Sequence, residues 1–434
     1  MNHSRRLLAL LLPVAWWCCG SGVAAAGEYR QELDNGLVIL FKPNPSALTL
    51  AVCVFVRATA LVETRDTAGL RHLAQQCLLD SRRAGGQTLG ARVAAEGMTA
   101  RVQVSPDFME TVLLGTGDQL PAALSLARDV LQPGSVEAAQ LSLRRAQVLQ
   151  ELRSRREVAA WQAQDMALGH LFGNTPCAWP VQGTFAAMSR LSATQVQALW
   201  RARMAPNNAL VAISGNLSWE AVQEQSRRAL ASLLPRQLPP EPVLVRTTRS
   251  RRAFLYAPSA APEAVVQMVA PLPPPDSPGF AAAALLAGVL GSGEGSRLFR
   301  TLRDERGLVY SVTTDITPSR LSGMMSTSVE CDADKAVEVC RLMQWEVAGL
   351  KRELPTEAEI SRARAYLTGN YLLGHQRNSE VAHYLGLFEI LFPGVANKDL
   401  PSRLAAVTPR EVESAANWFL DHAFWVQVGG TRAL

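Results

Sequence analysis

The chain has 434 residues, of which 48% are apolar and 19% charged, and a formal net charge of +5. That length exceeds one ordinary core and predicts two domains, while the balance argues against extended disorder. The mild charge, with no Lys/Arg stripe interleaved with aromatics, argues against a nucleic-acid surface.

The first residues, "MNHSRRLLALLLPVAWWCCGSGVAAAG", join a basic start, an apolar run and a tail of small residues. This pattern predicts a signal peptide over residues 1–26, cut near Ala26. The +5 falls to +3 once Arg5 and Arg6 leave with it. No later stretch reaches the ~18–20 uninterrupted apolar residues of a membrane helix, so an exported, periplasmic protein without a transmembrane segment is expected. A lipoprotein modified at Cys18 or Cys19 is the alternative, though bulky Trp16 and Trp17 stand where small residues are wanted. Five cysteines would remain, Cys53, Cys77, Cys177, Cys331 and Cys340, an odd number without CxxC spacing. Cys53 and Cys77 fall in apolar patterns and read as buried thiols; a Cys331–Cys340 bridge stays open.

Residues 27–233 read as the first domain. "YRQELDNGLVILFKPNPSALTLAVCVFVRATALVE" predicts a hairpin turning at Asn35-Gly36 and then a longer strand. Helices follow, one over about 135–158 and one opening at Ser192. Four prolines in "LLPRQLPPEPVLV" predict a linker at 234–245, and residues 246–434 form the second domain. The ends of the two domains resemble each other. "LSATQVQALWRARMAPNNALVAISG" and "VTPREVESAANWFLDHAFWVQVGG" each open a helix with a capping box, Ser192 with Gln195 and Thr408 with Glu411, and close on an apolar strand running into glycine. Ser192 and Thr408 stand 216 residues apart, about half the chain, which marks a duplication. Strands mixed with runs of helices predict α+β halves with mixed, mainly antiparallel sheets. No dinucleotide fingerprint or Walker motif is present.

Within "AGLRHLAQQCLLDS", Leu70, Leu73, Ala74, Cys77 and Leu78 form an apolar stripe of helical period. His72, Gln75 and Gln76 fall at i, i+3 and i+4, so they are expected to share another face. That spacing is the one in which an H-x-x-E-H helix holds two zinc ligands and a general base.

The segment "LDNGLVILFKPNPSALTLAVCVFVRATALVE" with "GLRHLAQQ" resembles the N-terminal part of the pitrilysin-like (M16) zinc metallopeptidases. "RAQVLQELRSRRE", "PCAWPVQGTFAAMSRLSATQV", "APNNALVAISGNLSWEAV" and "LLAGVLGSGEGSRLFRTLRDERGLVYSV" match further family landmarks in order. The resemblance implies two M16-type halves packed as a clam-like shell. It also implies a damaged metal site: the first ligand matches His72, the base falls on Gln75, the second ligand on Gln76 and the distal glutamate on Glu151. An accessory glutamate falls on Arg144, a cation expected to oppose a metal and to neutralise Glu151. An amide is a poor zinc ligand and cannot act as a base, so no zinc is expected in this chain.

In the second half the resemblance implies that Arg303 and Tyr310 hold a substrate backbone near the scissile bond, two donors suited to a carbonyl. A surface arginine and a core tyrosine are the plainer reading. The loop "GVLGSGEGSRLF", with Gly291, Gly293 and Gly295, resembles a glycine-rich loop that contacts substrate; a simple turn between helices is the alternative. The expected function is a noncatalytic, peptide-binding subunit of a periplasmic heterodimeric M16 peptidase, with zinc in an H-x-x-E-H-bearing partner. A non-proteolytic scaffold of the same fold is the second reading.

Overall fold

The computed structural model describes residues 27–82, 86–240, 253–392 and 400–433. The signal peptide, and the linker from residue 241 on, lie outside the described residues. The first half runs β1 (Tyr29–Glu32), β2 (Val38–Pro43), β3 (Thr49–Val56), α1 (Leu70–Leu78), α2 (Leu89–Ala95), β4 (Thr99–Val104) and β5 (Met109–Thr116). It continues with α3 (Leu120–Leu131), α4 (Ala138–Glu157), α5 (Ala159–Phe172), α6 (Phe185–Met188), α7 (Ala193–Arg203), β6 (Ala209–Gly215) and α8 (Trp219–Leu230). The second half has β7 (Phe254–Ala257), β8 (Glu263–Pro271), α9 (Gly279–Gly291), α10 (Arg297–Phe299), β9 (Val309–Thr317) and β10 (Met324–Asp332). Then come α11 (Ala336–Arg352), α12 (Glu357–Gly374), α13 (Asn378–Leu391), α14 (Leu400–Ala406), α15 (Pro409–His422) and β11 (Phe424–Val428).

The sheets run β1-β2-β6-β3-β5-β4 and β7-β11-β8-β10-β9. Matching β2 with β7, β3 with β8 and so on to β6 with β11 makes the two orders identical apart from the extra strand β1. Each sheet contains one parallel pair, β2 with β6 and β7 with β11; every other pair is antiparallel. The fold is α+β, with two homologous halves, as the sequence pattern predicts. The β1–β2 hairpin turns at Asn35-Gly36, where Gly36 takes φ 80°. Both capping boxes form, and a third, Thr356 with Glu359, opens α12.

Strand β3 is buried from Leu50 to Val56, so both faces of its sheet are covered. Its own half covers only one of them: Val52, Val54 and Val56 pack with Leu73, Leu124 and Trp200 from α1, α3 and α7. The opposite face is covered by α13 of the other half, whose Ala382, Leu385 and Leu391 meet Ala51, Cys53, Phe55 and Ala212. The reverse contact also exists. Ala163, Ala167 and Leu171 of α5 lie on Val265, Val269, Phe424 and Val426 of the second sheet. Each half thus lends one helix to the other.

The approach of α13 is tight. Gly386 is seated on the fully buried Phe55, and a Cβ there would overlap the aromatic ring. In the second half Arg297 makes a buried, two-pronged ion pair with Glu359, at 2.7 and 2.9 Å. Burial pushes the Glu359 carboxyl up, but Arg297 and the Thr356 amide outweigh it and hold it at about 2. Among the described residues Cys53, Cys77, Cys177, Cys331 and Cys340 are buried free thiols, and burial pushes Cys77 and Cys331 up to about 12.

Gly386→Ala is expected to lower stability by about 1–3 kcal/mol, the usual result of overpacking. Adding Phe55→Leu should recover part of that loss, read by thermal melts. Arg297→Met should lose about 3–5 kcal/mol, because the buried Glu359 carboxylate is left unpaired. In the wild type, Glu359 titrates lower in the folded state, so the stability from this pair is fully present above about pH 4.5. It should fade as pH falls toward about 2, and the variant should lack that acid-sensitive component.

Candidate functional site

Helix α1 begins at Gly69, which has φ 90° and offers no side-chain cap. The buried Glu63 supplies one from a neighbouring turn, accepting from the Gly69 amide at 3.2 Å and the Arg71 amide at 2.7 Å. Arg71, 1% exposed, is anchored to the carbonyls of Ala58 (3.0 Å) and Ser105 (2.6 Å). This start of α1 is therefore rigid, and it sets the direction in which His72 projects.

His72 Nε2 lies 3.6 Å from Glu151 Oε2 on α4, longer than a hydrogen bond. The neighbouring imidazole holds the Glu151 carboxyl below the usual carboxylate range. The structure thus brings together the two surviving members of the motif, 79 residues apart in the chain.

Gln75 corrects the expectation of one shared polar face. Its side chain turns into the sheet, 2% exposed, and Nε2 donates to the Glu110 carbonyl at 2.7 Å and Thr111 Oγ1 at 2.9 Å. A side chain at the base position has become a pin between α1 and β5. Its amide N–H groups reach a carbonyl that a carboxylate would repel. Arg144 is the second correction. It does not neutralise Glu151; its guanidinium grips Asp80 at 2.6 and 3.1 Å, and that contact raises its pKa further.

A catalytic zinc requires three protein ligands and a base near its water. Here an imidazole and a carboxylate stand beside the Gln76 amide, and the base position points away. Among the described residues no group of three or more His, Cys, Asp or Glu is placed to hold a metal ion. The donor set does not fit a catalytic zinc.

His72 and Gln76 open onto a cavity of about 400 Å³, within the size range of ligand sites. It spans the two halves. Trp161 and Gln164 of α5 form one wall, Val102 and Gln103 of the edge strand β4 a second, and Thr317, Ser322 and Met324 of the second half a third.

Arg303 lies elsewhere. It is exposed on the π-helical stretch Arg300–Glu305, its guanidinium 4.9 Å above the Phe299 ring, and is not among the residues bordering this cavity. Tyr310 is on β9, where Tyr310 and Ser311 together face Glu330 in a β-bulge. The glycine-rich loop is packed closely on its neighbours: a Cβ at Gly291 would run into Thr314, one at Gly293 into the Tyr366 ring, and one at Gly295 into Arg362.

The sequence reading missed a polar cluster behind β5. The fully buried Glu110 carboxylate bonds Gln103 and accepts from His383 Nδ1 of α13 at 2.8 Å. The only signal was a glutamate inside the apolar run "METVLLG".

Two duplicated α+β halves thus border one cavity, and the helix on its wall presents His72 and Gln76 while Gln75, at the place of a base, turns into the sheet. Residues 190–367 match the family model described as the Peptidase M16 inactive domain. The chain is 27% identical over 422 residues to an uncharacterized zinc protease of Mycobacterium tuberculosis (strain ATCC 25618 / H37Rv), covering 94% of each chain. It is 20% identical over 410 residues to a non-peptidase homolog of Helicobacter pylori (strain ATCC 700392 / 26695), covering 94% of this chain and 93% of that one. The solved structure of a protease from Helicobacter pylori superposes with TM-score 0.85 at 15% identity, over 93% of this chain and 99% of that one. The likeness to the M16 peptidase family, read first from the motifs, is thereby shown in sequence and in fold.

Gln75→Glu, which restores the base by residue type, should yield no peptidase activity in this chain. It should lower stability by about 1–3 kcal/mol, since the buried carbonyl of Glu110 loses its donor. Equilibrium urea unfolding alongside a peptide-cleavage assay checks both.

Proposed function

We propose that this chain is the noncatalytic, peptide-binding subunit of a periplasmic heterodimeric M16 peptidase, closing a substrate chamber against a partner that bears an intact H-x-x-E-H helix and its zinc. The observation that carries this reading is Gln75: the base position is committed to holding α1 on β5, so the pocket is kept in shape without the chemistry. Two sheet edges support peptide binding. Strands β4 and β9 each end their sheets, and each contributes residues to the cavity, so an extended segment can add to an edge through main-chain hydrogen bonds. Arg303 and Tyr310 are assigned to the composite site, one on an exposed helical turn and the other at a bulge, a feature that re-aims the chain locally. The glycine loop is assigned a substrate-contacting role at its exposed end, around Gly295.

A second reading, a non-proteolytic scaffold or peptide-binding protein, is favoured by the likeness to the non-peptidase homolog. Cleavage of a mixed peptide pool by the mature chain, by its H-x-x-E-H partner, and by the two together separates them. Activity confined to the mixture is expected; a partner equally active alone moves the scaffold reading ahead. In the active mixture, Arg303→Ala should reduce turnover by about tenfold or more, as loss of one transition-state donor does, with assembly unchanged by size-exclusion chromatography. Unchanged turnover removes Arg303 from the site.

A further inference from the structure

Each arginine, glutamate and histidine bordering the cavity already faces an opposite charge inside the protein. Glu63 and Arg71 approach to 3.5 Å, and both are almost fully buried. Arg155 is gripped by Asp165, with contacts of 2.7 and 3.1 Å, and His72 faces Glu151 at 3.6 Å. Arg71 Nη1 donates to two backbone carbonyls, and the residue is 1% exposed. A charged group entering this space would shed water and meet only charges that already face an opposite one, which is the costly way to bury a charge.

What the cavity offers instead is neutral. The amide-bearing side chains of Gln76, Gln164 and Gln182 border it, together with the indoles of Trp161 and Trp179. Trp161 stands out because it is 46% exposed, a large apolar surface left at the mouth of a cavity. Its ring is held from one side: the Arg155 guanidinium lies 4.3 Å from the ring centroid, and Asp165 fixes Arg155 in turn. An aromatic group ordered before its ligand arrives loses little entropy on binding.

We infer that the cavity selects uncharged peptide segments, with amides answering amides and the Trp161 indole serving as the platform for proline or aromatic side chains. This rests on the peptide-binding reading above and names the substrate class of the same site. Asp165 is a positioning residue here: it acts through Arg155, both orienting the indole and cancelling the guanidinium charge.

The test uses the full mature chain and three end-blocked, fluorescein-labelled decapeptides, followed by fluorescence anisotropy. One peptide contains only Ala, Pro, Phe and Gln; the other two carry a central Gln→Glu or Gln→Lys change. The neutral peptide is expected to bind about tenfold tighter than either charged one, and Trp161→Ala to lower its affinity by about tenfold. Asp165→Asn leaves the Arg155 charge uncompensated, so the Glu peptide should gain affinity relative to the neutral one while the Lys peptide does not. Asp165→Glu should restore the wild-type order, a readout that a purely structural role for Asp165 would not move. Equal affinity for all three peptides, unaffected by Trp161→Ala, overturns the inference and leaves peptide binding standing. Binding of none of the peptides overturns the peptide-binding reading itself, and the inference with it.

Discussion

The architecture depends on one constraint: each half builds a sheet with two apolar faces and brings helices for only one. The missing cover comes from the other half, α13 lying on the first sheet and α5 on the second. A fully buried leucine or phenylalanine contributes about 1.5–3 kcal/mol, so leaving either face bare would expose a patch far larger than a soluble surface tolerates. The halves are therefore not independent beads on a linker. The cavity lies where the exchange requires it, beside the lent helix α5, whose Trp161, Gln164 and Leu168 form part of its wall. The other lent helix, α13, is seated tightly, with Gly386 against Phe55.

The duplication extends to the functional elements. Helix α1 packs on β4, α4 and α7; helix α9 packs on β9, α12 and α15, their counterparts in the second half. The degenerate motif at His72 and the glycine-rich end of α9 thus occupy equivalent places. One presents side chains to a cavity. In the other, glycines bring the helix end and its loop into close contact with β9 and α12, where Thr314, Tyr366 and Arg362 leave no room for a Cβ.

Much of this was legible in the sequence because it is local. The hairpin turn, both capping boxes and the duplication follow from spacing alone, and the likeness to a known family placed His72 beside Glu151. The helix exchange had a trace in the uninterrupted apolar strand "LAVCVFV" and in "AVVQMVA", apolar but for Gln267, a pattern that fits a doubly covered sheet. What could not be read was the choice among partners distant in sequence. Helical spacing puts Gln75 beside His72 but cannot say that a carbonyl on β5 will capture it. Arg144 has Glu151 two turns away on its own helix, yet its guanidinium reaches Asp80, 64 residues distant. The Glu110–His383 contact joins residues 273 apart, across the exchange that the sequence does not announce.

Gln75 also shows why the loss of the site is a settled state and not a single missing atom. A carboxylate base must face the metal-bound water and stay hydrated enough to take a proton. The amide here does the opposite: it leaves the cavity, is buried, and donates two hydrogen bonds that tie α1 to the sheet. That tie stabilises the helix carrying His72 and Gln76, and with it the wall of the cavity. Around it, Arg144 is bonded to Asp80, and the charges bordering the cavity are matched in pairs. Each of these side chains makes a fixed contact in place of a reactive or unbalanced group. A cavity walled in that way offers a fixed shape and fixed contacts in place of a base directed at a metal-bound water.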